Sequence, residues 1–347
     1  MGTSPLHNGH EKTLRHVPAA TTPYLAAAPE ARETTVAPDP PLRIADVAAL
    51  ADRLRANVRA AVHLSSTVLE IVLAALLAEG HLLLEDHPGV GKTQLARVLA
   101  GSLASRFSRV QATVDLLPSD IVGANVWRLE SGSFQFRPGP VFAHVVLVDE
   151  LNRATPKTQS GLLEAMEERQ VTVDGESRWL PSPFIVIATQ NPSGAYTGTY
   201  PLPPAQLDRF LARVSLGYPS IEQEMELLSG GLSPVAPVSS PEELRRAQQA
   251  VRSVHASRAL VRYVVALLVA TREHPLIEVG ASPRAGLLLL AAARARAAMQ
   301  GRDFVVPDDV QAMARAVLVH RLQPVAGAPV DAADDVVADV LSSVPAR

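Results

Sequence analysis

The chain has 347 residues, of which 47% are apolar and 19% are charged, so a sizeable core can form and global disorder is excluded. It contains no cysteine, which excludes disulfides, thiolate catalysis, thiolate zinc sites and iron–sulfur clusters. The net charge of −3 provides no strong field for nucleic acid or anionic lipid.

Residues 1–41 contain seven prolines and little apolar periodicity, which predicts a disordered Pro/Ala-rich tail. This tail has no apolar run long enough for a secretory signal. The longest stretch without a charge, residues 180–207, contains six prolines, so it cannot form a regular membrane-spanning helix. We therefore expect a soluble cytoplasmic protein.

Apolar residues at helical spacing predict two helices before the first strand, within residues 44–58 and 68–76. Short apolar runs then alternate with helical patterns, which is typical of a parallel sheet covered on both faces. We predict an α/β core over residues 42–218 and a small helical domain over residues 219–347. The predicted strands are residues 81–85, 110–114, 144–148, 184–189 and 212–216.

The first predicted strand leads into Asp-His-Pro-Gly-Val-Gly-Lys-Thr and then an apolar helix. This nearly matches the phosphate-loop pattern G-x-x-x-x-G-K-[ST]. The difference is Asp86, which stands where the pattern has its first glycine, and its carboxylate must point away from a bound phosphate. Loop N–H groups and a helix N-terminus attract phosphate, Lys92 can reach the β- and γ-phosphates, and Thr93 can hold Mg²⁺. The sequence thus predicts ATP and Mg²⁺ as cofactors. The predicted nucleotide-binding residues are Asp86, His87, Pro88, Gly89, Val90, Gly91, Lys92, Thr93 and Gln94. For His87 the residue pattern favours a solvent-facing turn residue over a nucleotide contact.

Two carboxylates, Asp149 and Glu150, follow the third predicted strand, and their position predicts a place beside the phosphate loop. Asp149 can hold Mg²⁺ through water, and Glu150 can activate the attacking water as a general base. Asn191 follows the fourth strand, where it can either orient that water or cap the chain before Pro192.

Three arginines stand in contexts that suggest a catalytic role. Arg209 precedes the fifth strand and could enter the site of a neighbouring subunit as an arginine finger. Arg213 lies within that strand and is the alternative for the same role. Arg284 follows a proline at a helix start, where it could reach a γ-phosphate.

Several long strings resemble MoxR-type AAA+ ATPases: residues 115–120 with Gly123, 136–140, 149–171, 189–192, 200–203 and 205–210. The resemblance covers residues 42 to 319. It implies an AAA+ core with a helical lid. The resemblance implies that Lys92 and Thr93 belong to the Walker A motif and that Asp149 and Glu150 belong to the Walker B motif. It further implies that Asn191 is sensor 1, that Arg209 is the arginine finger and that Arg284 is sensor 2. The sequence departs from the family at Leu64-Ser65, near the expected adenine position, and at Asp86 and Pro204.

The resemblance further implies ATP hydrolysis between the subunits of a ring, usually a hexamer. It implies chaperone-like remodelling of other protein complexes, often with von Willebrand type A partners. A nucleic-acid motor and a magnesium-chelatase-like subunit are the alternative functions. Residues 171–175 predict a β-hairpin with its turn at Asp174-Gly175, which could face a ring pore or a partner, or be purely structural.

Overall fold

The computed structural model describes residues 39–87, 89–190, 199–229 and 235–346, with Glu226 and Leu227 described only in their backbone. The helices are α1 Ile44–Arg59, α2 Ser66–Leu77, α3 Lys92–Ser102, α4 Pro118–Val122, α5 Pro156–Glu168, α6 Pro204–Leu207, α7 Ile221–Leu228, α8 Pro241–Arg252, α9 Arg258–Glu273, α10 Pro283–Met299, α11 Pro307–Leu318 and α12 Ala332–Ser343. The strands are β1 Leu82–Glu85, β2 Phe107–Gln111, β3 Gly123–Arg128, β4 Ser133–Pro138, β5 Val145–Asp149, β6 Gln170–Val173, β7 Glu176–Trp179, β8 Ile185–Gln190, β9 Ala212–Val214, β10 Ile277–Val279 and β11 Gln323–Pro324.

The central sheet has five parallel strands in the order β2-β5-β8-β1-β9. The inner strands β5 and β8 are buried along almost their whole length, because helices cover both faces. The predicted α/β core with a parallel sheet and a helical lid is confirmed. Since all five strands run the same way, their carboxyl ends share one edge of the sheet, which we call the carboxyl edge.

The two helices before the first strand are also confirmed, and they connect the sheet to the later helices. Apolar residues of α1 and α2 are buried in the same cluster as those of α8 to α11. Several helices start with a capping side chain: a serine or threonine accepts from the N–H three residues later, and a proline often follows. These capping residues are Ser65, Thr155, Ser240, Ser257 and Ser282.

Two hairpins stand out from the sheet. The predicted hairpin is confirmed as β6–β7, and a second hairpin, β3–β4, was not predicted. Asn125 of β3 donates to Asp174 at the β6–β7 turn (2.7 Å), so the hairpins are neighbours. Both tryptophans of the chain are exposed there, with Trp127 packing edge-to-face on Phe134 and Trp179 on β7.

The second strand lies three residues before its predicted position, at Phe107–Gln111 instead of residues 110–114. Only Val110 of its five residues is buried, so the strand gives a weaker pattern than a continuous apolar run. Residues 302–306, which look strand-like in sequence, contribute only one bridge, between His255 and Phe304. In the described residues, no helix is both long enough and apolar enough to cross a membrane.

Candidate functional site

A cleft of about 420 Å³ opens at the carboxyl edge of the sheet. The phosphate loop and the start of α3 form one wall, and the ends of β2, β5 and β8 form the other. The predicted residues Lys92, Thr93, Asp149 and Glu150 meet there. The cleft is lined by Gly89, Gly91, Lys92, Thr93, Gln94, Arg97, Arg109, Gln111, Asp149, Glu150 and Thr189.

The loop backbone has the conformation that its glycines permit. Gly89 and Gly91 have φ values of +89° and +93°, in the region that favours glycine, and Gly91 caps the N-terminus of α3. The Lys92 ammonium donates to the carbonyls of Asp86 (2.7 Å) and His87 (3.0 Å). Burial lowers the pKa of Lys92 from its ordinary value, and the carboxylates of Asp86, Asp149 and Glu150 oppose this effect.

Asp86 does not direct its carboxylate into the cleft. Its oxygens accept from the Ser215 hydroxyl (2.6 Å) and from the backbone N–H groups of Leu216 (2.6 Å) and Gly217 (3.3 Å). The side chain therefore ties the phosphate loop to the segment after β9. This explains how an acidic residue fits at the first position of a phosphate loop, and it leaves Asp86 only its backbone for a nucleotide.

Asp86→Ala is expected to lower the free energy of unfolding by about 1–3 kcal/mol, because buried N–H donors lose their acceptor. Urea denaturation of the purified chain measures this loss, and Asp86→Asn, which keeps one oxygen, should lose less. Nucleotide affinity should not tighten in either variant. A tighter complex with unchanged stability would place the carboxylate beside the phosphate and contradict the observed arrangement.

Asp149 and Glu150 are held by neighbouring polar groups. The Thr189 hydroxyl accepts from the Glu150 N–H (2.9 Å) and contacts an Asp149 carboxylate oxygen (3.4 Å). Glu150 has a left-handed backbone (φ 55°, ψ 46°), which is rare for a residue with a side chain and typical of functional turns. Its carboxylate pairs with Arg153 at 2.9 Å.

Thr93 and Asp149 line the same cleft, and their side-chain oxygens are ligands of the type that Mg²⁺ prefers. Within the described parts of the chain, no cluster of three or more acidic or histidine side chains could hold a metal by itself.

Sequence reasoning missed Arg97, Arg109, Gln111 and Thr189 of the cleft. Arg109 and Gln111 were hidden by the misplaced second strand. Thr189 had a visible signal, since it is the first polar residue after the apolar run of residues 184–188. Two predicted residues, Pro88 and Asn191, lie outside the described residues.

A smaller cleft of about 110 Å³ adjoins the phosphate loop. It is lined by Ala61, Val62, His63, Gly89, Val90, Gly91, Gln94 and Pro219. Leu64-Ser65, the departure near the expected adenine position, is not part of this lining. Ser65 instead caps α2, accepting from the Val68 N–H at 3.2 Å. His87 is exposed and stacks on Tyr218, which supports the alternative of a solvent-facing turn residue.

Arg209 and Arg284 are brought together, but not at the cleft. Both pair with Glu167 near the end of α5, at 3.0 Å for Arg209 and 2.7 Å for Arg284. Arg213 lies elsewhere: it pairs with Glu85 at the end of β1 (3.0 Å). The structure therefore separates the two arginines that were alternatives for the finger. We call Glu167, Arg209 and Arg284 the arginine cluster.

The arginine cluster lies towards the edge of the sheet opposite the cleft. The α5 helix starts after the carboxyl end of β5 and ends beside His81, the residue before β1. Burial lowers the pKa of His81 to about 3, so its ring is neutral. The ring accepts a hydrogen bond from the Val186 N–H and donates one to the carbonyl of Met166 in α5 (3.1 Å), which joins the end of α5 to the start of β1. With a rise of 1.5 Å per residue, the 13 residues of α5 extend about 20 Å. Neither arginine lines the cleft of its own chain.

The segment that carries Arg209 is anchored to the later helices. Asp208 accepts from Arg321 (2.7 Å) and from the Ser282 hydroxyl (3.1 Å), which caps the helix that carries Arg284. The Arg321 guanidinium is buried and also donates to the Phe210 carbonyl. These bonds hold the segment that carries Arg209 against the start of the helix that carries Arg284.

Two family descriptions match the chain: "ATPase family associated with various cellular activities (AAA)" over residues 81–212, and "AAA lid domain" over residues 269–340. Together they cover the sheet up to the start of β9, the cleft, and the helices from the end of α9 into α12.

The chain is also similar to whole proteins. It is 47% identical to the uncharacterized protein YeaC of Bacillus subtilis, over 78% of this chain and 87% of that one. It is 43% identical to the chaperone MoxR1 of Mycobacterium tuberculosis, over 74% and 71% respectively. A crystal structure of a candidate ATPase from Cytophaga hutchinsonii superimposes with a TM-score of 0.80 at 33% identity, over 87% of this chain and 96% of the other.

Proposed function

The chain belongs to the MoxR family of AAA+ ATPases, and from that premise we propose that it hydrolyses ATP at a site completed by a second copy of itself. The observation that carries this proposal is the division of the predicted residues. One cleft gathers the phosphate-binding and acidic residues, whereas Arg209 and Arg284 form a cluster towards the opposite edge of the sheet.

Within one chain, the cleft supplies binding and base catalysis. The Lys92 ammonium exchanges its loop carbonyls for the β- and γ-phosphate oxygens, and loop N–H groups at the start of α3 hold the phosphates. Thr93 and Asp149 hold Mg²⁺, which when bound neutralises charge on the phosphates. Glu150 accepts the proton of the water whose oxygen attacks the γ-phosphorus, as the bond to the bridging oxygen breaks. Asn191 orients that water.

The neighbouring copy supplies the positive charge that stabilises the transition state. Arg209 acts as the finger and Arg284 assists it, both leaving Glu167 to approach the γ-phosphate of the adjacent chain. A surface that donates arginines and a cleft that receives them lie at different edges of one chain. Repeating such a head-to-tail contact closes a ring when the rotation permits, and a hexamer is the size that the family resemblance favours.

The ring is proposed to work on other proteins, as a chaperone-like factor that remodels or matures a partner complex. The naming of a relative as a chaperone supports this. The exposed aromatic side chains Trp127, Phe134 and Trp179 on the adjacent hairpins offer a surface for an extended client chain. A protein with a von Willebrand type A domain is the partner that the family resemblance favours.

Nucleotide binding and hydrolysis by the purified chain test the proposal. Lys92→Ala should weaken ATP binding by about 10- to 100-fold, because a charged donor to phosphate is lost. Lys157→Ala, which removes an exposed lysine from α5, is the matched control and should bind like the unaltered chain. Magnesium-dependent phosphate release that is lost with Lys92 supports the proposal, and an inactive unaltered chain, or equal turnover in both variants, contradicts it.

A further inference from the structure

The carboxylate of Asp149, proposed above to hold Mg²⁺, already has a cationic partner. One Asp149 oxygen accepts from Arg109 Nε at 2.6 Å, and the other contacts the Thr189 hydroxyl at 3.4 Å. The Asp149 side chain is only 10% exposed, whereas that of Arg109 is 47% exposed. The carboxylate is therefore fixed, and the guanidinium is the partner that is free to move.

The strand register explains how Arg109 reaches Asp149. In the parallel pair β2 and β5, Gln111 lies opposite Asp149, and Arg109 lies opposite Leu147. Side chains alternate along a strand, so Arg109 and Gln111 share a face, and both line the cleft. Because β2 is the edge strand of the sheet, the Arg109 side chain has room to leave Asp149 and stay in the cleft.

Arg109 and a divalent cation compete for the same group. A charged hydrogen bond of this length is a strong one, and it takes up lone-pair density that a metal-bound water would use. A guanidinium and a divalent cation on one carboxylate would also repel each other at close range. A guanidinium released into this cleft has a new partner available, since phosphate oxygens bind arginine well.

We propose that Arg109 is a positioning residue that holds Asp149 while the cleft is empty, and that it turns to the nucleotide phosphates when a divalent cation takes the carboxylate. This inference rests on the proposed nucleotide site. It gives Arg109 two opposite effects: it makes the cation harder to bind, and it makes cation-free nucleotide easier to bind.

The opposite signs give a test that does not depend on hydrolysis. Binding of the fluorescent analogue mant-ADP is measured in EDTA and then over a Mg²⁺ titration, for the unaltered chain and for Arg109→Gln. In EDTA the variant should bind about fivefold more weakly, because the Asp149 carboxylate then lacks its cationic partner and repels the nucleotide phosphates. The Mg²⁺ concentration that gives half of the change in mant-ADP binding, the Mg²⁺ midpoint, should fall by a similar factor. The reason is that no arginine then competes with the cation for Asp149.

Two variants separate this role from a general loss of charge or structure. Arg109→Lys keeps a cation beside Asp149 and should restore the Mg²⁺ midpoint towards that of the unaltered chain. Arg97→Gln removes an arginine from the same cleft without touching the Asp149 pair, so it should leave the Mg²⁺ midpoint in place. If Arg109→Gln folds poorly by thermal unfolding, Arg109→Met, which keeps the aliphatic stem, replaces it.

An Mg²⁺ midpoint that stays or rises in Arg109→Gln would overturn this inference alone, as would an equal shift in Arg97→Gln. Absence of Lys92-dependent mant-ADP binding by the unaltered chain would overturn the proposed function, and this inference with it. The two failures are therefore distinguishable in one set of titrations.

Discussion

Glu150→Gln is expected to lower ATP turnover by about 10²- to 10⁴-fold, which is the range that a positioned general base contributes. The amide matches the carboxylate in size and keeps an acceptor oxygen, but it cannot take a proton from water at neutral pH. The rigid left-handed turn and the bond between the Glu150 N–H and the Thr189 hydroxyl do not involve the carboxylate. The variant should therefore fold normally and bind nucleotide nearly as the unaltered chain does.

Single-turnover phosphate release and mant-ADP binding measure these two quantities separately. Glu273→Gln, an exposed residue at the end of α9, is the matched control, with unchanged turnover expected. If Glu150→Gln turns over ATP at a rate only a few times lower than that of the unaltered chain, Glu150 is not the general base.

Arg209→Ala is expected to lower turnover by about 10³- to 10⁵-fold, the effect of losing an arginine finger. Nucleotide binding should survive, because Arg209 lies away from its own cleft and pairs with Glu167. Arg284→Ala should show a smaller loss of the same kind.

Arg213→Ala discriminates between the two arginines first considered for the finger. Its guanidinium pairs with Glu85 inside its own sheet, so we expect reduced stability and no finger-like loss of turnover. The reverse outcome, a large loss with Arg213→Ala and little with Arg209→Ala, would transfer the finger role to Arg213.

The fold could be predicted well where neighbouring residues in the sequence form a recognisable pattern. Continuous apolar runs identified the inner strands, and the proline before Arg284 marked the start of α10. The prediction of the edge strand β2 was shifted by three residues because only Val110 of this strand is buried, so it makes no continuous apolar run. The β3–β4 hairpin was missed, since its exposed aromatic residues follow no core pattern.

The site could be predicted in its residue types but not in its pairings. Lys92, Thr93, Asp149 and Glu150 follow from a pattern within short strings, and the structure brings them to one cleft. The Asp86 bonds to residues 215–217 join positions 129 to 131 residues apart, and the Arg109 pair with Asp149 joins positions 40 residues apart. The meeting of Arg209 and Arg284 at Glu167 likewise depends on how the helices pack, which no local motif encodes.

The sharing of one site between two copies can be tested by mixing inactive variants. A chain with Glu150→Gln retains Arg209, and a chain with Arg209→Ala retains a complete cleft. Where the first chain donates its arginine to the second, an intact site forms. If copies assemble at random and each contact acts independently, about one quarter of the contacts in an equimolar mixture are intact.

The measurement is the rate of magnesium-dependent phosphate release by the mixture, compared with each variant alone. A mixture of Glu150→Gln with Lys92→Ala is the matched control, because both changes disable the cleft itself and no contact can be complete. We predict recovery to about one quarter of the unaltered rate in the first mixture and none in the control. No recovery in the first mixture, from variants that assemble and bind nucleotide, would contradict a site completed by a second copy.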